Sequence, residues 1–233
     1  MKESVQKGKG LRTPPTRKHF LFGYGSLIDR VSRMSTNPHA LAAYPAIVEG
    51  VARGWWVHGT PVNCTTCFLS AIAEAGARCN GVLYPVTDVE LEQTDRREAM
   101  YDRIEIDPRQ ITFLDGRKAL PAETTVWFYA LPKDPFYANQ HPNADFPITQ
   151  SYVDICLNGC LEMEALYPLA EDKNFARMFI QETCNWSPYW VNDRLQPRRP
   201  NAHLPRSMQI DTLLREELPD VFPHVKFESA QWD

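Results

Sequence analysis

Apolar positions recur along the chain with two different spacings, which predict strands in some segments and helices in others. Short runs rich in aromatic and β-branched residues, bounded by Gly, Pro or Asn, predict six strands. These runs cover residues 19–24, 46–58, 67–74, 81–86, 101–106 and 124–129. Asn80-Gly81 predicts a turn immediately before the fourth strand.

Apolar residues spaced three and four apart predict helices at 29–35, 88–99, 150–167, 175–183 and 211–217. Thr87 or Asp88 is placed to cap the second helix, and Thr149 is placed to cap the third. The third helix carries its apolar residues at amphipathic spacing. Several strands with helices clustered late in the chain indicate an α+β fold with a mixed, strongly curved sheet.

Composition limits the class of protein. The chain has 233 residues, of which 43% are hydrophobic and 23% are charged, as in an ordinary globular protein. The formal charge of −4 argues against a nucleic-acid binder, because such proteins usually carry a basic face. No apolar segment approaches the roughly 20 residues that span a bilayer, so we expect no membrane partner.

The two ends of the chain differ from its middle. Residues 1–18 are basic and polar without the apolar stretch of a secretory signal, so we expect a disordered tail and a cytoplasmic location. Residues 185–233 are irregular, aromatic and basic, with too little periodic apolar sequence for a separate core. We therefore expect one domain at 19–184 with this extension packed on it. Residues 131–147 contain four prolines and predict a long, exposed or functional loop.

Six cysteines invite a test of metal binding. Cys64 and Cys67 have the spacing of zinc ligands, and Cys79 could be a third ligand. No second pair of Cys or His residues follows to complete the four ligands of a structural site, so we predict no metal. Cys156 and Cys160 lie one helical turn apart and predict a small buried face. Reduced thiols are expected throughout.

The first segment with a chemical signal is residues 19–28, an aromatic strand that ends at Gly23-Tyr24-Gly25-Ser26. Glycine has no Cβ and lets another group approach the main chain. Consecutive free N–H groups in such a turn form a small concavity that binds anions, and Ser26 adds a hydroxyl. Taken alone, the same residues also fit a turn that only reverses the chain.

A second motif makes the first one specific. It reads Asp95-Arg96-Arg97-Glu98-Ala99-Met100-Tyr101-Asp102-Arg103 and lies where the predicted second helix passes into the next strand. With Tyr24-Gly25-Ser26-Leu27 before it and Ser151-Tyr152-Val153-Asp154 after it, the chain resembles the gamma-glutamylcyclotransferase-like family. The resemblance runs from about residue 20 to about residue 161 and implies a small mixed β-barrel with surrounding helices.

The resemblance implies an enzyme that needs no cofactor. In the implied reaction, the α-amino group of a small-molecule γ-glutamyl compound attacks its own γ-carbonyl and releases 5-oxoproline and an amine. Two alternatives stay open, namely a non-catalytic binding or interaction module of the same fold, and a γ-glutamyl hydrolase or transferase. The expected state is a monomer or a homodimer.

Glu98 is the residue that the resemblance implies as general base. It would take a proton from the attacking ammonium and return it to the leaving amine. Burial would raise its pKa, which suits both roles. The competing interpretation is a helix-end glutamate in an ion pair with Arg96, Arg97 or Arg103.

The other implied site residues bind the substrate. Tyr24, Gly25, Ser26 and Leu27 would hold the glutamyl group, mainly through backbone N–H groups. Tyr101 and Tyr152 would orient the same group, although each also fits a packing role.

The local sequence does not assign a single role to several other residues. Arg30 and Arg53 could pair with a substrate carboxylate. Five residues of the extension either contact the leaving amine or only cap the fold: Trp186, Trp190, Arg194, Arg198 and Arg199. The motifs do not identify the leaving amine, which leaves glutathione, other γ-glutamyl amino acids, γ-glutamylamines and a γ-glutamyl-protected biosynthetic intermediate open.

Overall fold

A computed structural model of the protein describes residues 18–61, 64–137, 139–169, 174–199 and 206–228. The predicted tail at 1–18 lies outside these residues apart from Lys18. The strands are β1 His19–Gly23, β2 Tyr44–Gly59, β3 Thr66–Val86, β4 Asp102–Ile106, β5 Ile111–Phe113, β6 Thr125–Ala130, β7 Ile148–Thr149, β8 Thr183–Cys184, β9 Trp190–Asn192 and β10 Lys226–Phe227.

Seven of these strands form one mixed sheet that curls into a half-barrel, and the α+β class is confirmed. The order is β4-β6-β1-β3-β2-β5, with β8 beside β2. β1 lies at the centre, antiparallel to β3 and parallel to β6, so its end is surrounded by other strands. The short strands β7, β9 and β10 form a second, parallel sheet.

The turn predicted at Asn80-Gly81 is wrong, because both residues lie inside the single long strand β3. Asn80 pairs with Ile47 of β2, and its side-chain amide donates to the carbonyl oxygen of Phe175 at 2.7 Å. A Cβ on Gly81 would lie 2.6 Å from the carbonyl oxygen of Gly23. The two residues therefore serve close packing between neighbouring segments rather than chain reversal.

The described residues form five α-helices: α1 Arg30–Thr36, α2 Asp88–Arg97, α3 Gln150–Leu166, α4 Phe175–Gln181 and α5 Ser207–Glu217. The predicted cap of α2 is confirmed, since Thr87 and Glu90 form a reciprocal capping box. Thr149 occupies the N-cap position of α3, but its side chain makes no capping hydrogen bond. Its hydroxyl lies instead 3.2 Å from the hydroxyl of Thr66.

The amphipathic character predicted for α3 is wrong. The helix is buried on nearly every side over its first fourteen residues, whereas Leu166 at its end is 66% exposed. Burial is so complete because α3 packs against α4, α5, β9 and the 3-10 turn at Ser26–Ile28. Helix α3 is therefore a central support for the end of β1.

The described part of the C-terminal extension packs on this helical layer. Trp190 of β9 is fully buried, stacks on Trp186 with centroids 5.1 Å apart and meets the edge of Phe222. Helix α5 contacts both α3 and α4. None of the helices in the described ranges combines the length and apolarity needed to cross a bilayer.

Candidate active site

A cavity of about 250 Å³ opens beside the end of β1. The structure places every sequence-predicted site residue on its wall: Tyr24, Gly25, Ser26, Leu27, Glu98, Tyr101 and Tyr152. These residues come from three separate parts of the chain, and the fold brings all of them together. Their roles in catalysis and binding stay predictions.

One wall of the cavity is the turn that follows β1. After Gly23 the chain passes through Tyr24 and Gly25 into the 3-10 turn at Ser26–Ile28. The N–H of Ile28 donates to the carbonyl oxygen of Gly25 at 3.0 Å. The preceding N–H groups of residues 25, 26 and 27 donate to no acceptor among the described residues, as expected for donors that open a helical turn. The three residues that carry these donors line the cavity.

Arg53 of β2 holds this turn through the carbonyl oxygen of Tyr24 and does not line the cavity. It is fully buried, and its five guanidinium N–H groups make five hydrogen bonds. The acceptors are Oγ1 of Thr183 at 2.8 Å, the carbonyl oxygens of Tyr24, Asn80 and Phe179 at 3.1, 2.7 and 2.8 Å, and Oδ1 of Asn80 at 3.0 Å. With every donor used, Arg53 has none left for a substrate carboxylate, so that hypothesis is wrong.

The bond from Arg53 to Tyr24 fixes the direction of a peptide group. No described peptide bond is cis, and in a trans peptide the C=O and the following N–H point to opposite sides. Because the carbonyl of Tyr24 points to Arg53, the N–H of Gly25 points away from Arg53. Arg53 does not line the cavity, whereas Gly25 does.

Helix α3 packs closely against the end of the same turn. A Cβ on Gly159 would lie 2.3 Å from the backbone nitrogen of Asp29, so only glycine allows this approach. The carboxylate of Asp29 accepts from the backbone N–H of Ser32 at 2.8 Å and from Nδ2 of Asn158 at 2.9 Å. The turn is therefore tied to both α1 and α3.

Glu98 lines the same cavity and lies at the C-cap of α2, where its N–H donates to the carbonyl oxygen of Thr94 at 2.8 Å. Its side chain is only 20% exposed. Burial raises the pKa of Glu98 above its ordinary value, and the positive charge of Arg97 opposes that rise. Nε of Arg97 lies 3.3 Å from Oε1 of Glu98. Glu98 therefore forms an ion pair of the kind considered from the sequence, and it also lines the cavity.

Arg103, the other nearby cation, is engaged elsewhere. Its Nη1 lies 2.6 Å from Oδ2 of Asp95, and the hydroxyl of Tyr129 donates to Oδ1 of the same carboxylate at 2.8 Å. Asp95 thereby links the end of α2 to β4 and β6. This link fixes the position from which Glu98 projects.

Tyrosines form much of the remaining wall. The hydroxyl of Tyr24 donates to the carbonyl oxygen of Tyr129 at 2.8 Å, so it is occupied within the protein. Burial raises the pKa of Tyr24, Tyr101 and Tyr152 above the ordinary value for a phenol. These phenols are therefore neutral near pH 7, and Glu98 is the carboxylic acid among the described residues that line the cavity.

Tyr152 of α3 forms another part of the cavity wall. Its ring meets the edges of Trp55 and Phe68, with centroids 5.9 and 5.3 Å apart. A Cβ on Gly25 would lie 3.3 Å from the hydroxyl oxygen of Tyr152, so the absence of a side chain at position 25 permits this close approach. Trp55 is fully buried and belongs to the core.

Sequence reasoning missed part of the wall. The additional residues that line the cavity are Leu21, Phe22, Gly23, Phe68, Leu69, Tyr84, Arg97, Met100 and Tyr129. Phe68 carries no local signal that separates it from other strand residues. Arg199 was one of five extension residues considered for the leaving amine, and among those five it is the one that lines the cavity.

Several other candidates lie away from the cavity. Arg30 and the described residues of the 131–147 loop do not line it. In the described ranges, no group of three or more His, Cys, Asp or Glu side chains is arranged to hold a metal ion. Burial raises the pKa of both Cys67 and Cys79 to about 12, so these thiols are protonated near pH 7.

Three solved structures illustrate the likeness of the fold. A gamma-glutamyl cyclotransferase is 18% identical, with 66% of this chain and 89% of that chain covered and a TM-score of 0.47. An uncharacterized protein from Homo sapiens is also 18% identical, with the same coverage and a TM-score of 0.46. A yeast gamma-glutamyl cyclotransferase specific to glutathione is 14% identical, with 70% and 94% covered and a TM-score of 0.43. A likeness of this size says nothing about the substrate.

No curated protein matches the sequence. The family described as "Gamma-glutamyl cyclotransferase, AIG2-like" matches residues 21–149, which is more than half of the chain. The matched stretch contains both the turn after β1 and Glu98. The chain therefore belongs to the gamma-glutamyl cyclotransferase, AIG2-like family.

Proposed function

We propose that the protein is a γ-glutamyl cyclotransferase, which converts a γ-glutamyl amide into 5-oxoproline and a free amine. One observation carries the proposal. A half-buried carboxyl group with a raised pKa, that of Glu98, lines the same cavity as residues 25–27, whose backbone N–H groups have no acceptor among the described residues. A base and a set of fixed donors are the two elements that this reaction needs from a protein.

In the proposed mechanism, Glu98 removes a proton from the α-ammonium group of the substrate. The freed amine nitrogen attacks the γ-carbonyl carbon, and a new C–N bond closes the five-membered ring. The amide C–N bond then breaks as Glu98 returns its proton to the leaving nitrogen, so that the carboxylate is regenerated. The ring nitrogen loses its second proton, and the released amine takes up a proton and departs as an ammonium ion. The attack is intramolecular, so the substrate itself supplies much of the proximity.

The turn after β1 has two uses in this mechanism. Its N–H groups can donate hydrogen bonds to the carboxylate of the glutamyl group and to the oxyanion that develops on the γ-carbonyl oxygen. Fixed backbone donors suit this task because they need no reorganisation during the reaction. Arg53 and Gly159 hold the turn in place, which supports the proposal because donors of this kind must be rigid.

The test is to identify the product. The purified protein is incubated with glutathione, γ-glutamylalanine and γ-glutamylethylamine, and 5-oxoproline, glutamate and the released amine are quantified. We expect 5-oxoproline and amine in equal amounts from at least one compound. Free glutamate would instead identify a hydrolase, a new γ-glutamyl amide would identify a transferase, and binding without any product would identify a binding module.

Glu98→Gln tests the assigned base. We expect kcat to fall about 10²- to 10⁴-fold, because an amide cannot accept the ammonium proton. Glu92→Gln is the matched control, since Glu92 is an exposed residue of the same helix, and it should retain full activity. Circular dichroism should show both variants folded. A Glu98→Gln protein with wild-type turnover would refute the mechanism.

A further inference from the structure

Arg199 is a cation on the cavity wall that the proposed mechanism does not use. It lies after β9, outside the stretch that matches the family. Its guanidinium carbon is 5.3 Å from the ring centroid of Tyr152 and 5.6 Å from that of Phe68. Both distances fall within the range of cation–π interactions. Two aromatic rings of the cavity wall therefore hold the guanidinium at the cavity.

Other arginines near this segment differ from Arg199 in their partners. Nη2 of Arg194 lies 2.8 Å from Asp154 and 2.7 Å from Asp211. Arg198 forms an ion pair with Glu228. Arg199, in contrast, has no ion pair with any described carboxylate. Its guanidinium therefore keeps its capacity for an anion from outside the protein.

Arg97 is the second cation on the wall, and it lies beside the proposed general base. It lies beside the carboxylate of Glu98, whose pKa it lowers. Arg199 lies on the side formed by Tyr152 of α3 and Phe68 of β3. The two cations therefore contact different residues of the wall, Arg97 the carboxylate of Glu98 and Arg199 the rings of Tyr152 and Phe68.

The geometry of ring closure determines which part of the substrate lies near Arg97 and which part lies near Arg199. The attacking amine and the γ-carbonyl must both lie near Glu98, and the glutamyl group folds compactly between Glu98 and the turn after β1. The leaving amine must then extend along the remaining wall toward the opening of the cavity. Arg199, which is partly exposed, stands on that wall.

We propose that Arg199 binds a carboxylate on the leaving amine and so selects γ-glutamyl compounds whose leaving group is an amino acid or peptide. This inference rests on the proposed cyclotransferase function. A guanidinium is suited to it because its planar fork binds both oxygens of a carboxylate. The aromatic rings beneath it orient that fork before the substrate arrives.

The test uses two substrates that differ only in the carboxylate of the leaving amine, γ-glutamylalanine and γ-glutamylethylamine. For Arg199→Gln, we expect kcat/KM for γ-glutamylalanine to fall about 10- to 100-fold, mostly through KM, as for loss of a charged hydrogen-bonded pair. The value for γ-glutamylethylamine should change less than about twofold. Arg199→Lys should fall between, because an ammonium keeps the charge without the fork.

Arg198→Gln is the matched control, since it removes the neighbouring positive charge from a residue that does not line the cavity. It should leave the ratio between the two substrates unchanged. An equal loss on both substrates for Arg199→Gln would overturn the inference, because the arginine would then act on the glutamyl group or on the fold. No loss on either substrate would overturn it as well.

Binding separates failure of this inference from failure of the proposed function. Calorimetric titration of the Glu98→Gln protein measures the affinity for each compound without turnover. We expect tighter binding of γ-glutamylalanine, and we expect the added Arg199→Gln change to remove that difference. If the wild-type protein forms no 5-oxoproline, the proposed function fails, while an Arg199-dependent preference in this titration still supports the carboxylate subsite. Equal affinities for both compounds would overturn it.

Discussion

The two parts of the molecule on either side of residue 149 contribute differently to the cavity. Residues 21–149, which match the family, provide all but two of the residues on its wall, including Glu98 and the turn after β1. The later part provides only Tyr152 and Arg199. The proposed reaction chemistry thus belongs to the first part, and the proposed choice of leaving amine belongs to the second.

Two arginines show how the parts depend on each other. Arg53 belongs to the first part, but two of its five hydrogen bonds go to Phe179 and Thr183 of the second. All of its donors are used, so it acts on the fold. Arg199 has no ion pair with a described carboxylate, so it is open to a ligand. One arginine, Arg53, therefore stabilises the fold, whereas the other, Arg199, is available to bind a ligand.

The largest expected effect comes from breaking the contacts of Arg53. For Arg53→Met, we expect the free energy of unfolding to fall by about 3–5 kcal/mol, because several buried acceptors lose their donor at once. Urea denaturation followed by circular dichroism measures this loss. Activity should fall as well, since the peptide between Tyr24 and Gly25 would no longer be fixed.

Arg53→Lys sharpens the same test. It keeps the charge, but three donors on one nitrogen cannot reach acceptors spread around a planar fork. We expect a loss of stability that is smaller than for Arg53→Met. Wild-type stability in Arg53→Met would contradict the view that this residue joins the two parts.

Gly159→Ala should have an intermediate effect. The new Cβ would overlap the backbone of Asp29, so either α3 or the turn at Ser26–Ile28 must shift. We expect a loss of about 1–3 kcal/mol in unfolding free energy, as for other overpacked sites, even though alanine favours a helix more than glycine does. Thermal and urea unfolding measure the stability, and the activity assay reports any shift of the turn.

Leu166→Ala provides the control on the same helix, because Leu166 is largely exposed and should tolerate the change. A Gly159→Ala protein with unchanged stability and activity would show that the turn does not depend on its contact with α3. Loss of activity with little loss of stability would instead show that the turn moved while the core remained packed.

Features that depend on nearby residues were predictable from sequence. The end of β1 at glycines, the capping box of Thr87 and Glu90, and the position of Glu98 at the end of α2 all follow from local patterns. The motif at 95–103 also led to Tyr101 on the cavity wall. Local backbone preferences and side-chain caps act over a few residues, so a single sequence contains them.

Features that depend on distant partners were not predictable. Asn80-Gly81 has the local pattern of a turn, but the amide of Asn80 bonds to Phe175 and Arg53 far away in sequence. Arg199 could not be separated from Arg194, because the difference lies in the acidic residues that each one meets. Strands of two or three residues, such as β8, are also too short to show a period.

The smallest expected effect concerns the pH dependence set by Arg97. Glu98 must be ionised to accept the ammonium proton, so kcat/KM should rise with pH through the pKa of Glu98. Burial raises that pKa and the charge of Arg97 lowers it, so Arg97→Gln should raise the pKa further and move the acidic limb of the profile to higher pH. Arg96→Gln, which removes an exposed charge from the same helix, should leave the limb in place. A limb that stays in place or moves to lower pH in Arg97→Gln would mean that a group other than Glu98 controls it, and would contradict the assignment of Glu98 as the base.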